Sequence, residues 1–145
     1  MSWPREIKKQ VVLGNFRTRS AKPKHKNSAW RDKRPGMSED HLALIRQLPC
    51  CVTRGLGGEA HHLKSGTGER GMGVRSTDRW AVPMGHDAHM EVERAGTRNE
   101  ASWFAERGVD PHELARDLWA ATGDLERMRK VLAAHWKHNA SVAKR

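Results

Sequence analysis

The chain has 145 residues, enough for one small domain and an appended segment. Its 27 Lys and Arg outnumber its 17 Asp and Glu, so the formal net charge is +10 and an anionic partner is indicated. It contains neither a run of about 18 apolar residues nor a signal-peptide core, and its two cysteines, Cys50 and Cys51, are adjacent. These features exclude a membrane-spanning protein and a disulfide scaffold, and we expect a reducing, cytoplasmic location.

The positive charge is concentrated in residues 1–36. This segment has eleven Lys and Arg against Glu6 and Asp32, a net charge of +9, whereas the other residues hold sixteen basic and fifteen acidic groups. It has no apolar period, so we predict a mostly disordered arm that binds a polyanion. A tail that only aids solubility is the alternative. The cations expected to contact nucleic acid are Lys22, Lys24, Lys26, Arg31, Lys33 and Arg34, and the interspersed aromatic residues that either stack on bases or are incidental are Trp3, Phe16 and Trp30.

The folded domain is predicted to span residues 37–145 and to begin with a short helix. Ser38 has the character of an N-cap, acidic residues follow it, and Pro49 ends the helix. Residues 50–53 and 59–63 are predicted to form a β-hairpin around the glycine-rich turn at 55–58. A glycine-rich loop follows at 64–73, and residues 80–84 are predicted to form a further short strand or extended segment.

Helices are predicted over the rest of the chain. The first starts at His86 or Asp87 and ends near Ala95, and three more cover residues 99–107, 111–122 and 124–139, with glycines after the first two of these. Apolar residues recur in these segments at helical spacing, so we expect them to build the core. The tryptophans assigned to that core are Trp103, Trp119 and Trp136. Short strands followed by helices predict an α+β fold.

Four residues have the types and spacing of a one-metal phosphodiesterase site. His61 and His62 lie at the end of a predicted strand, while His89 and Glu93 are four residues apart and share one helix face. Phosphodiester hydrolysis needs a base to activate water, for which His62 is suited, and positive charge at the phosphate. We expect His61, His89 and Glu93 to bind one divalent ion that supplies this charge. Glu91 lies on the opposite helix face and is expected to be a solvated charge.

The motifs around these residues resemble the HNH, or ββα-metal, nuclease family, and in particular its phage and prophage members. They are Pro-Cys-Cys-Val-Thr at 49–53, Ala-His-His-Leu at 60–63, Gly-Met-Gly at 71–73 and Val-Pro at 82–83, with further likeness at Trp103-Phe104, at 108–111 and at Leu118-Trp119. The resemblance extends more loosely to RecA-dependent recombination-enhancement nucleases of temperate phages, which carry a basic, disordered arm. It implies a ββα-metal core with additional C-terminal helices and a metal-dependent DNA endonuclease in a bacterial or phage-infected cell. The implied partners are DNA and a RecA filament.

By this resemblance His62 takes the general-base position, and His61 and His89 take metal-ligand positions. Two features depart from the family pattern. Glu93 stands where a final His is usual, and this anionic oxygen shifts the expected ion toward Mg²⁺ or Mn²⁺, with Zn²⁺ also compatible. The family's middle Asn falls near Trp80, so the nearest polar candidate is Asp78, which could orient His62 or brace the loop.

Several residues allow more than one interpretation. His86 is a second candidate ligand or a helix-start residue, and the cysteines are either buried thiols or part of a structural zinc site. The glycine-rich loop either cradles phosphates through its amides, with Lys64, Arg70 and Arg75 adding charge, or is a plain mobile loop. A catalytically silent DNA-binding or recombination-accessory protein on the same fold is the competing function.

Overall fold

A computed structural model describes residues 35–69 and 75–143 of the chain. This part mixes helices with a two-stranded antiparallel sheet, so the expected α+β class is confirmed. Most of the predicted basic arm lies outside the described residues, as does Arg70. Gly36, which was assigned to the arm, accepts a hydrogen bond at its carbonyl from the Arg79 amide at 3.0 Å.

The first described helix, α1, spans Glu39–Ile45. The Ser38 side chain accepts a hydrogen bond from the His41 amide, which satisfies one of the free N–H groups of the first turn, as the sequence predicted. Leu42 and Ile45 face the core, and His41 is also fully buried. The helix therefore packs one apolar face against the sheet and holds Ser38 beside the residues that follow the glycine-rich loop.

The predicted hairpin between residues 50–53 and 59–63 is wrong. Strand β1 (Glu59–His62) pairs instead with β2 (Ala81–Met84), with His61 opposite Val82. Residues 51–53 form a turn, closed by a bond from the Arg54 amide to the Cys50 carbonyl, and Arg54 has a positive φ of 63°. Cys51 still donates its amide to Pro83 on β2, so this segment contacts the sheet without forming a strand of the hairpin.

The segments flanking β2 position most of the polar residues of the candidate site. A 3₁₀ turn at Asp78–Trp80 precedes the strand, so the predicted strand starts one residue later than expected. Helix α2 (His86–Ala95) follows directly, then a 3₁₀ turn at Thr97–Asn99 and helix α3 (Glu100–Glu106). The chain thus runs strand, strand, helix, with α2 packed on β1.

Two C-terminal helices complete the core, as predicted. Helix α4 (Pro111–Ala120) is capped by Asp110, which accepts from two amides, and α5 (Leu125–Ala143) extends past the predicted end at residue 139. Of the three tryptophans assigned to the core, Trp103 is 7% exposed, whereas Trp119 and Trp136 are partly buried. The Trp136 indole donates to the Cys51 carbonyl at 2.9 Å, which ties α5 to the turn before β1.

The core is continuous across these elements. It combines residues of α1, β2, α2, α3, α4 and α5 with residues that follow α1 and β1. Among its members are Ile45, Leu48, Leu63, Val82, Met84, Val92, Phe104, Leu114, Leu118, Met128 and Leu132. Cys50 and Cys51 belong to it as free, buried thiols, and burial raises the pKa of Cys51. Within the described residues, no helix combines the length and apolarity that a bilayer crossing requires.

Candidate functional site

Three of the predicted ligands converge between β1 and α2. Among the residues that the structure describes, His61, His89 and Glu93 form the one group whose potential ligand atoms all lie within 4.8 Å of one another, and we call it the metal-type cluster. Glu93 Oε1 lies 3.4 Å from His61 Nδ1 and 3.7 Å from His89 Nε2. The two imidazole rings meet edge to face, with centroids 5.1 Å apart. Because His89 and Glu93 are one helical turn apart, α2 presents both on the face that packs against β1.

Each imidazole of this cluster also contacts a carboxylate on its far side. His61 Nε2 donates to Glu100 Oε2 at 3.1 Å, and His89 Nδ1 donates to Glu59 Oε2 at 2.5 Å. Each ring also faces Glu93 on its other side, but only the contacts with Glu100 and Glu59 are hydrogen bonds. An ionised carboxylate only accepts, so in the neutral ring the proton resides on the nitrogen that makes the hydrogen bond. The other nitrogen of each ring, His61 Nδ1 or His89 Nε2, then carries a free lone pair directed at Glu93. Metal-binding histidines are commonly oriented in this way.

The environment of His61 Nδ1 is the observation that best fits a bound cation. His61 is 1% exposed, and its Nδ1 is a buried polar atom without a hydrogen-bond partner. A buried acceptor left unpaired costs about 1–3 kcal/mol. A divalent ion bound by His61, His89 and Glu93 would satisfy this atom. Two imidazoles and one carboxylate suit Zn²⁺, and the oxygen ligand also suits Mn²⁺ or Mg²⁺.

Lys64 fixes the orientation of the Glu93 side chain. Its ammonium contacts Glu93 Oε2, which leaves Oε1 directed toward the two imidazoles. Partial burial raises the pKa of Glu93, but the hydrogen bond and charge of Lys64, together with the charges of His61 and His89, lower it, and the net shift is downward. Glu93 is therefore held ionised and presents one oxygen to the centre of the cluster.

The predicted base and its partner form a second group. His62 Nε2 lies 2.8 Å from Asp78 Oδ1, and Asp78 Oδ2 accepts from the Ser38 amide at 2.9 Å. Asp78 is buried, which raises its pKa, but the bonds from His62 and Ser38 outweigh burial and lower it overall. Of the two roles suggested for Asp78, orienting His62 or bracing the loop, this contact fits the first, and the N-cap of α1 holds the carboxylate. Successive residues of a strand face opposite sides, and accordingly His62 contacts Asp78 while His61 belongs to the metal-type cluster.

Two residues of the site were missed by the sequence analysis. Glu59 lies two residues before His61 on β1, so the period of two that places them on one face was an available signal. Glu100 begins α3 and is 2% exposed, yet it is 39 residues from His61 in the chain, and no local pattern indicates their contact. Both carboxylates act by orienting imidazoles.

Other residues singled out from the sequence lie at the edge of this arrangement. His86, the alternative ligand, has a 70% exposed side chain that contacts Glu59 at 2.8 Å and is outside the metal-type cluster. Its hydrogen bond to Glu59 raises the pKa of His86. Arg75 is exposed, and its charge acts on Asp78. Lys64 contacts Glu93, as described above.

The first amides of the glycine-rich loop have a different role from the suggested phosphate cradle. The amides of Lys64 and Ser65 donate to Glu100 Oε1 at 2.8 and 3.0 Å, and the Ser65 hydroxyl donates to the same oxygen at 3.1 Å. These donors are therefore occupied within the protein and hold the start of the loop against α3. The centre of the loop, residues 70–74, lies outside the described residues.

Comparison with known proteins gives one match. No curated protein and no solved structure matches the chain. A family model described as "Protein of unknown function (DUF968)" matches residues 21–122, a span that contains every member of the two polar groups described above. Since the match covers more than half of the chain, the protein belongs to the DUF968 family.

Proposed function

We propose that this protein is a metal-dependent DNA endonuclease with a ββα-metal core. The observation that carries the proposal is the convergence of His61, His89 and Glu93 around a buried, unpaired His61 Nδ1. The strand–strand–helix order that brings these residues together supports the same assignment. The ion is Mg²⁺ or Mn²⁺, with Zn²⁺ as the other compatible metal.

The number of ligands favours catalysis over a structural role for the ion. Structural zinc sites are usually closed by four protein ligands, whereas catalytic sites keep a position open for water or substrate. Three side chains converge here among the described residues, and the buried Cys50 and Cys51 are not among them. A metal at this place would polarise a phosphate oxygen and stabilise the negative charge that develops during cleavage.

His62 is the general base of the proposed reaction. Asp78 accepts from Nε2, so the neutral ring carries its free lone pair on Nδ1, from which it can take a proton from water. His62 and His61 are consecutive residues at the end of β1. For His62 and the metal-type cluster to act on one phosphodiester, the DNA would have to cross this end of β1.

Charge supports DNA as the substrate. The predicted arm carries a net charge of +9 of the chain's +10, and phosphate neutralisation by such cations supplies most of the sequence-independent affinity for DNA. A RecA filament is the proposed protein partner. The proposed location is the reducing cytoplasm of a bacterium or a phage-infected cell, where free thiols persist.

The test is cleavage of supercoiled and single-stranded DNA by the full chain with Mg²⁺, Mn²⁺ or Zn²⁺, with and without a RecA filament. Glu93→Ala should abolish cleavage, and chelation should do the same to the unmodified protein. Glu91→Ala is the matched control, because Glu91 lies two residues away on α2 and contacts Arg107 instead of the cluster. DNA binding without cleavage under every condition would favour the recombination-accessory alternative. Equal loss of cleavage in both variants would indicate that the substitutions disturb helix α2 and that Glu93 has no specific role.

A further inference from the structure

We infer that Glu100 is a positioning residue that selects the tautomer of His61 and thereby makes Nδ1 a metal ligand. This inference rests on the proposed metal site. It assigns a role in that site to a residue on α3 that touches neither the proposed ion nor the substrate. It also explains why the carboxylate of Glu100, which is 2% exposed, is buried against His61.

The two oxygens of Glu100 have separate partners. Oε1 accepts from the Lys64 amide, the Ser65 amide and the Ser65 hydroxyl, at 2.8, 3.0 and 3.1 Å. Oε2 accepts from His61 Nε2 at 3.1 Å. Three donors therefore converge on Oε1, and hydrogen bonds of this kind favour the ionised form of a carboxyl group, which can only accept. Oε2 is thus placed as the acceptor that faces His61 Nε2.

This arrangement determines which nitrogen of His61 is bare. With an obligatory acceptor at Nε2, the neutral ring carries its proton there and leaves Nδ1 unprotonated. Nδ1 then faces Glu93 Oε1 at 3.4 Å, inside the cluster. The opposite tautomer would direct an N–H at the ion position and a bare nitrogen at a carboxylate, which would abolish ligation and repel Glu100.

The tautomer role can be separated from the loop-anchoring role because they use different oxygens. In Glu100→Gln, the two backbone amides require an acceptor, so the amide oxygen takes the Oε1 position and the NH₂ group faces His61 Nε2. The loop anchor is thereby preserved, while the ring must accept at Nε2 and carry its proton on Nδ1. Removal of outer-shell partners typically weakens metal affinity about 10- to 100-fold, and we expect a loss in this range or greater.

Glu59→Gln is the matched control. Glu59 orients His89 as Glu100 orients His61, but its side chain is 35% exposed and its second partner, His86, is 70% exposed. The amide can therefore rotate to present its oxygen to His89 while His86 turns to solvent. The same chemical change should leave the His89 tautomer unaltered and weaken Mn²⁺ binding less than Glu100→Gln does, because it keeps an acceptor at His89 Nδ1. Ser65→Ala is the control for loop anchoring, since it removes one donor to Oε1 and leaves the carboxylate.

The experiment is ¹⁵N NMR of the imidazole nitrogens in metal-free full-length protein at mildly alkaline pH, followed by Mn²⁺ titration of each variant. We expect the Nε2–H tautomer of His61 in the unmodified protein, in Glu59→Gln and in Ser65→Ala, and the Nδ1–H tautomer in Glu100→Gln. An Nδ1–H or doubly protonated His61 in the unmodified protein would overturn the inference, as would unchanged Mn²⁺ affinity in Glu100→Gln. The first measurement stands even if Glu100→Gln does not fold. Absence of DNA cleavage would refute the proposed function without altering the tautomer result.

Discussion

Metal binding should stabilise the fold, and His89→Ala should remove that effect while His86→Ala should not. The two histidines are three residues apart on α2 and both contact Glu59, but only His89 belongs to the metal-type cluster. Mn²⁺ is the appropriate probe, because Zn²⁺ also binds Cys and His in unfolded chains and so offsets its own stabilisation.

The magnitude follows from linkage. An ion at 100 times its dissociation constant stabilises the native state by about 2.7 kcal/mol. For a domain of this size about 1 kcal/mol shifts the melting temperature by roughly 4 °C, so the expected rise is about 10 °C. Loss of one of three ligands should weaken affinity by roughly 100-fold or more, since even outer-shell changes cost about 10- to 100-fold. At the same Mn²⁺ concentration the stabilisation then falls to about 0.4 kcal/mol, or about 2 °C.

Thermal unfolding with and without Mn²⁺ measures this directly, with each variant compared with its own metal-free state. That comparison removes any effect of the substitution on the stability of the metal-free protein. Such an effect is expected in His89→Ala because the His89 side chain is only 20% exposed. Retention of the full shift in His89→Ala, or its loss in His86→Ala, would refute the ligand set. The second result would instead assign the ligand role to the alternative histidine.

Four further outcomes are expected. His62→Ala should reduce cleavage by about 10²- to 10⁴-fold while keeping the Mn²⁺-induced melting shift, and near-normal turnover would place the base elsewhere. Glu93→His should retain Mn²⁺ or Zn²⁺ binding better than Glu93→Ala in a titration, and the reverse order would mean that the α2 register is mistaken. Deleting residues 1–34 should leave the helical circular dichroism signal unchanged. It should lower the slope of log affinity for duplex DNA against log salt concentration by several units, at about 0.9 for each phosphate that the arm no longer neutralises. An unchanged slope would locate DNA binding in the folded domain. The pKa of Glu100 is lower in the folded than in the unfolded protein, so its stabilising contribution is present above the ordinary Glu pKa of about 4.3 and is lost as the pH falls through the lower folded value. Denaturant titrations at several pH values should therefore show a smaller loss of unfolding free energy at acid pH in Glu100→Gln than in the unmodified protein. Identical pH profiles of the two proteins would contradict this.

Local patterns account for the helices and for half of the candidate site. Ser38 followed by acidic residues caps α1, and the four-residue spacing of His89 and Glu93 places both on one face of α2. These results could be anticipated because capping and helical periodicity depend on residues within one or two turns. The α+β class could be predicted from the sequence for the same reason.

Strand pairing could not be derived in the same way. Residues 50–53 precede a glycine-rich turn and a strand, which is a hairpin pattern, but Arg54 turns the chain back onto Cys50, and β1 pairs with β2 across the loop. The partner of a strand is chosen by burial and register over the whole domain, so β1 placed His61 opposite Val82 and beneath α2.

The sequence by itself determined which side chains could bind a metal or transfer a proton, because ligand and base chemistry belongs to residue types and their local spacing. Only the tertiary structure decided how those side chains are oriented. Asp78 reaches His62 through the turn before β2, and Glu100 reaches His61 from a helix 39 residues away. Asp78 was a candidate from the sequence, whereas Glu100 left no local signal, since its position beside β1 is set by how α3 packs in the domain.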